Sequence, residues 1–307
     1  MRTLSVFVIF GLLSGLINLS WAQKQHIGQD LFKDLVYYWK YATSAYFSPC
    51  LSPNGKVLLG EFSEGGTQGY IARDDAKRAI VVAFRGSEPH YSDWVDTNLD
   101  FLLVPYKLTS SDTENPLINT APIGVTVHKG FLEGVVHIVM KSVRDELAKA
   151  TYKEYRVITV GHSLGGSLAS LAAVSLRDNL PGTYVSMFTY GQPRTGNTKY
   201  AGWVNKAIGR QFSAHRVTRV SDGVTVLPPK SVKGIDTGYR HHGLEYYQSD
   251  GGISAQNVSP CKPGADLENP DCPIKNSFNI TETGRRHSEY LGSVYPPHFI
   301  GKHSRLY

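Results

Sequence analysis

Cysteine, methionine and long apolar runs are all scarce in this 307-residue chain. It holds three cysteines and three methionines. Beyond the N-terminus no stretch is long and apolar enough to span a bilayer, so no internal transmembrane segment is expected. Dense runs of one charge are missing too. The formal charge of +6 is scattered, which reads as a solvated surface and offers no nucleic-acid partner. There is no internal repeat, no phosphate-cradling loop, no dinucleotide fingerprint, and no Cys, His or Asp set at metal-ligand spacing. The expectation is therefore no cofactor and no metal.

What is present begins with a leader. Arg2 supplies a positive start, Leu4 to Leu19 is apolar, and Ser20 and Ala22 sit at the small positions before a cleavage site. Residues 1–22 read as a signal peptide and 23–307 as the secreted protein, of charge near +5 once Arg2 is gone. A 41% hydrophobic fraction allows a full core. No shift of composition separates a second domain, so 23–307 reads as one domain. In an oxidising compartment Cys261 and Cys272, close together in a Pro/Gly/Asp-rich segment, are the expected disulfide pair. Cys50 is left over. Asn257-Val-Ser and Asn279-Ile-Thr are glycosylation sequons, and Pro260 weakens the first.

Apolar periodicity predicts helices over Asp30 to Phe47, Phe131 to Tyr152 and Leu164 to Leu176. Short β-branched or aromatic runs predict strands at Gly69 to Ala72, Ala79 to Phe84, Arg156 to Val160, Tyr184 to Tyr190 and His215 to Val220. Strands alternating with helices argue for an α/β fold, with a mostly parallel sheet and helices on both faces. Beyond Lys230 the chain reads as loop-rich.

The segment Arg156 to Gly166 (RVITVGHSLGG) joins a strand to a small-residue helix through Gly-x-Ser-x-Gly. A serine hydroxyl is a poor nucleophile unless exposed, oriented and served by a base. A sharp strand-to-helix turn exposes Ser163. Gly161 and Gly165 are needed because side chains there would strike the neighbouring strand or helix. On such a fold the acid and then the histidine base follow the serine in the chain. Asp222, directly after the strand HRVTRV, stands out as the acid, with Asp236, Asp250, Asp266 and Asp271 in weaker contexts. The order leaves His241, His242, His287, His298 and His303 as bases. His162 abuts the serine and is a poor candidate for that role.

These residues, taken in order, resemble the class 3 lipases: fungal triacylglycerol lipases and the related feruloyl esterases. The likeness runs from about Tyr37 to Gly292 through FRGS at Phe84 to Ser87, VHKGF at Val127 to Phe131, VGHSLGGSLASLAA, YGQPRTGN at Tyr190 to Asn197, RVTRVSDGVTVLPP, and HHGLEYY at His241 to Tyr247. It ends with His287-Ser-Glu-Tyr-Leu-Gly, similar to the family's His-x-x-Tyr-Phe-Gly. The resemblance implies an α/β-hydrolase fold, His287 as base and Asp222 as its acid. The backbone N–H groups of Ser87 and Leu164 would be the oxyanion donors. It also places a lid at Glu88 to Asp96, where Tyr91, Trp94 and Val95 form a short apolar face.

A secreted triacylglycerol lipase working at a lipid–water interface is the first reading. The short polar lid and the SDGV loop resemble feruloyl esterases equally well, so that substrate class stays open. A catalytically dead binding protein on the same scaffold is the reading from a different class, and the complete residue set argues against it.

Overall fold

The computed structural model describes residues 26–64, 66–87, 102–107, 117–129, 136–208, 213–261, 268 and 280–294. Eight strands form the main sheet: β1 (Val57–Glu64), β2 (Thr67–Asp74), β3 (Ala79–Phe84), β4 (Arg156–His162), β5 (Val185–Tyr190), β6 (Ala214–Arg219), β7 (Glu245–Gln248) and β8 (Val258–Cys261). They lie side by side in chain order. β3 to β7 are parallel, and antiparallel pairs close both edges.

Among the described residues five α-helices accompany them: α1 (Gln29–Ser44), α2 (Val136–Leu147), α3 (Leu164–Asn179), α4 (Thr198–Ala207) and α5 (Ile280–His287). The period-2 alternation of the strands sorts the core into two layers. In β3, Ile80, Val82 and Phe84 face a cluster with Val139, Met140 and Val143 of α2, Leu168 and Ala172 of α3, and Trp203 of α4. Ala79, Val81 and Ala83 face the other way, onto Leu35, Tyr38, Trp39 and Ala42 of α1. This is the α/β-hydrolase arrangement expected, with helices on both faces. α1 is fastened by Asp74, a fully buried carboxylate at the end of β2 that accepts from the hydroxyls of Tyr37 and Tyr41 and from the Lys77 N–H.

The differences from expectation have local causes. β1, where no strand is expected, belongs to the sheet, as does the pair β7–β8, although the chain beyond Lys230 reads as loop. β7 is the run Glu-Tyr-Tyr-Gln, buried at all four positions, which shows no alternation. Glu245 is tolerated there because Arg216 and Thr218 on the neighbouring strand bond its carboxylate. β1 is an edge strand, largely solvated, with an irregular register between Leu58 and Gly60. The helix expected over Phe131 to Tyr152 ends at Leu147, and residues 131–135 lie outside the described residues. The leader is also outside them. Among the described residues no helix is long and apolar enough to cross a membrane.

Several buried histidines make stability pH-dependent. His162, His241 and His242 are each about 99–97% removed from solvent. Burial, reinforced by nearby Arg216, pushes His242 down to about 3. Burial likewise holds His162 and His241 well below the ordinary histidine value. The unfolded chain takes up protons near pH 6.5 while the folded one does not, so stability is full above that pH and falls as pH drops below it. Denaturant unfolding at pH 7 and pH 5 should differ by about 2 kcal/mol or more, the acid side being weaker. His242→Gln should flatten that slope. A pH-independent midpoint over this window would show that these rings are charged in the fold.

Candidate active site

The parallel strands end in register: Phe84 pairs with Gly161, His162 with Tyr190 and Tyr190 with Val217. Their carboxyl ends therefore deliver Gly86–Ser87, Ser163, Gly191 and Asp222 to one edge of the sheet, where ligand crevices of open α/β sheets form.

Ser163 sits between β4 and α3 at φ 58° and ψ −130°. This left-handed region is costly for a residue with a Cβ, and it is held by close packing on both sides. A Cβ on Gly161 would fall 2.0 Å from the Gly165 carbonyl oxygen. One on Gly165 would fall 2.3 Å from the Phe84 carbonyl oxygen. The two glycines let the helix meet the strands backbone to backbone, as the motif required. The Ser163 N–H is tied to Tyr190 O at 2.9 Å. Leu164 begins α3, so its N–H is among those with no carbonyl within the helix. The chain at Gly86 passes against the elbow: a Cβ there would lie 3.0 Å from Ser163 Cβ. Ser87, one of the two expected oxyanion donors, is the next residue in the chain.

Asp222 and His287, 65 residues apart in sequence, meet in the interior. His287 Nδ1 stands 3.0 Å from Oδ1 and 2.9 Å from Oδ2 of Asp222. The carboxylate is fully buried and also accepts from the Val224 N–H at 3.0 Å and from the Tyr290 hydroxyl. Four contacts thus satisfy a charge that would be prohibitive unpaired. With Nδ1 committed to Asp222, Nε2 is the nitrogen that can serve a nucleophile.

The other candidates are placed elsewhere. Asp236 pairs with Arg240, and Asp250 with Arg286. His241 gives its N–H to Glu268 and bonds Thr225 O through Nε2 at 2.7 Å. His242 Nε2 meets the Gln192 side chain at 3.0 Å. His241 thus supports the loop after Asp222, and no group of His, Cys, Asp and Glu able to hold a metal occurs among the described residues. Tyr91, Trp94, Val95, Asp266, Asp271, Cys272, Asn279, His298 and His303 lie outside the described residues. Cys50 is a buried free thiol. Asn257 gives its side-chain N–H groups to Gly251 O at 2.7 Å and Gly252 O at 3.1 Å, bonds a glycan would have to displace.

Three features escaped the sequence. Gly191, at φ 57°, faces the histidine–carboxylate pair: its Cβ would lie 2.8 Å from His287 Cε1 and 3.0 Å from Asp222 Oδ2. Gly191→Ala should therefore part this pair and lower kcat about 10- to 100-fold with little change in KM, checked by steady-state kinetics on a soluble ester. Undiminished kcat would mean the pair does not need that space. Arg194 is the second. Its buried guanidinium holds Glu268 by two bonds of 2.8 and 2.9 Å and bonds the carbonyls of Val226 and Pro228, clamping the loop after Asp222. Burial alone would raise Glu268, but Arg194 and the neighbouring His241 hold its carboxyl far below the usual range. The third is the neutral His162, whose ring lies 4.5 Å from that of His287.

Comparison with known proteins points to one family. Residues 81–232 match the lipase (class 3) family. The chain belongs to the class 3 lipases. It is 32% identical over 229 residues to secreted mono- and diacylglycerol lipase 1 of Fusarium solani, covering 73% of this chain and 61% of that one. It is 31% identical over 232 residues to a Rhizomucor miehei lipase, covering 74% and 55%. This class 3 lipase chain thus spans less than two thirds of the length of either relative. Among solved structures it resembles lipase II from Rhizopus niveus, with a TM-score of 0.70 and 25% identity over 89% of this chain and 98% of that one.

Proposed function

We propose that this class 3 lipase is a secreted carboxylic ester hydrolase acting on acylglycerols, triacylglycerols foremost, through an acyl-enzyme on Ser163. The observation that carries the reading is the buried Asp222–His287 pair at the sheet edge that presents the strained Ser163. Ser163 Oγ attacks the ester carbonyl while His287 Nε2 takes its proton. Asp222 holds the ring in the tautomer with hydrogen on Nδ1 and stabilises the imidazolium. The backbone N–H groups of Leu164 and Ser87 receive the oxyanion. The proton passes to the leaving alcohol, and water repeats the cycle on the acyl-enzyme.

Two relatives bear lipase names, and one of them is named as secreted and as acting on mono- and diacylglycerols. With the apolar leader of this chain, those names support secretion and a lipid substrate. In an oxidising medium Cys261 would pair with Cys272, since Cys50 is a free thiol and no other cysteine exists. Glycans would go to Asn279 before Asn257, whose amide is occupied.

A panel of tributyrin, a long-chain emulsified triglyceride, monoolein and methyl ferulate tests the substrate. The acylglycerols should be hydrolysed faster, with a rate that climbs above the solubility limit. Preference for methyl ferulate would replace the lipid reading with the esterase one.

A further inference from the structure

His162 is the residue before the nucleophile, and its ring has work other than proton transfer. Both nitrogens are engaged. Nε2 lies 2.8 Å from the backbone carbonyl oxygen of His287, and Nδ1 lies 2.7 Å from the Tyr46 hydroxyl. A carbonyl can only accept, so Nε2 carries the hydrogen. Nδ1 of the neutral ring must then accept, and the Tyr46 hydroxyl donates to it. The tautomer follows from the partners. His287 is the last residue of α5, so its carbonyl is one of those a helix leaves without an internal donor. His162 supplies that donor from the elbow itself.

The surroundings hold this arrangement. Trp39 packs edge-on against the His162 ring at 5.4 Å and 82°, and the ring is almost fully buried. The Tyr46 hydroxyl also occupies the space beside the oxyanion segment: a Cβ on Gly86 would lie 2.2 Å from it. One tyrosine–histidine pair therefore touches Gly86, the elbow and the main chain of His287.

We propose that His162, locked in the Nε2–H tautomer by Tyr46, is a positioning residue that sets the height of the His287 main chain over Ser163. The inference rests on the reading of His287 as the base. A displacement of about 1 Å between nucleophile and base costs on the order of 100-fold in rate, and the His162 ring bonds the His287 main chain directly, at 2.8 Å.

The test compares His162→Leu, His162→Gln and Tyr46→Phe with the wild type on a soluble short-chain ester, per folded molecule by near-ultraviolet circular dichroism. His162→Leu should lower kcat about 100-fold with KM within about twofold. His162→Gln keeps an N–H for the His287 carbonyl and should recover at least about tenfold of that loss at a similar thermal midpoint. Tyr46→Phe should lower kcat about tenfold. Equal losses in the leucine and glutamine variants, tracking their thermal midpoints, would overturn the proposal and leave a packing role. So would wild-type kcat in His162→Leu. A readout independent of turnover is the side-chain spectrum of ¹⁵N-histidine protein, in which His162 should be neutral with hydrogen on Nε2. Hydrogen on Nδ1 overturns the proposal even in an active enzyme. A wild type inert on every ester with the Nε2–H tautomer in place would sink the hydrolase reading and leave the His162 geometry standing.

Discussion

Ser163→Ala should lower kcat/KM on a soluble ester by about 10⁴-fold or more while leaving the fold intact. The substitution removes one oxygen and keeps a Cβ, so the elbow meets no new contact at φ 58°. Gly161 and Gly165 still let α3 seat on the strands, and the Ser163 N–H bond to Tyr190 O does not involve the side chain. The backbone donors at Leu164 and Ser87 also survive, so a small rate above that in water should persist. What disappears is the acyl-enzyme, and with it any burst of alcohol ahead of steady turnover. Pre-steady-state kinetics with a chromogenic ester, paired with a thermal melt, checks both halves. Activity within tenfold of wild type would remove Ser163 from the chemistry.

Asp222→Asn should be nearly as severe, on the order of 10⁴-fold in kcat. The carboxylate accepts four contacts, from His287 Nδ1, Val224 N–H and the Tyr290 hydroxyl, the histidine nitrogen touching both oxygens. An amide has one oxygen for these donors. Wherever its NH₂ faces His287, the ring must turn Nδ1 into an acceptor and carry its hydrogen on Nε2, the nitrogen that should take the serine proton. Wherever its NH₂ faces Val224, two N–H groups confront each other. The loss should appear in kcat, with KM nearly unchanged. Asp222→Glu keeps the charge but adds a methylene in a fully buried site, and it should show a smaller kcat defect together with a lower thermal midpoint. Equal activity of Asp222→Asn and wild type would place the acid elsewhere.

The part of this fold visible in the sequence is the part governed by periodicity. β3, β4, β5 and β6 are β-branched or aromatic runs between turns, and α3 is a run of small residues after Gly-x-Ser-x-Gly. Each emerged within a few residues of its expected bounds. β7 is hidden because its buried run begins and ends on polar residues: Glu245, which depends on Arg216 and Thr218, and Gln248, which accepts from the Leu291 N–H. Such pairing is a property of the assembled sheet. In the site, Ser163 and Asp222 announce themselves through the turns that bear them. His287 does not, since it stands between charged residues on a short helix, and the family resemblance alone selected it from five histidines. Gly191 and Tyr46 carried no signal of their own. Their roles come from what lies across the site, and only three-dimensional contact reveals that. His162 is a poor base by its place in the chain, and its two occupied nitrogens add a physical reason.

The most direct measurement is stoichiometric labelling with diethyl p-nitrophenyl phosphate followed by peptide mass spectrometry. One diethylphosphoryl group should be found per molecule, on the peptide containing Ser163, with concurrent loss of esterase activity. The Ser163→Ala protein should stay unlabelled. An active wild type that resists the reagent, or that carries the adduct on another residue, would contradict a hydrolase built on the Ser163 elbow.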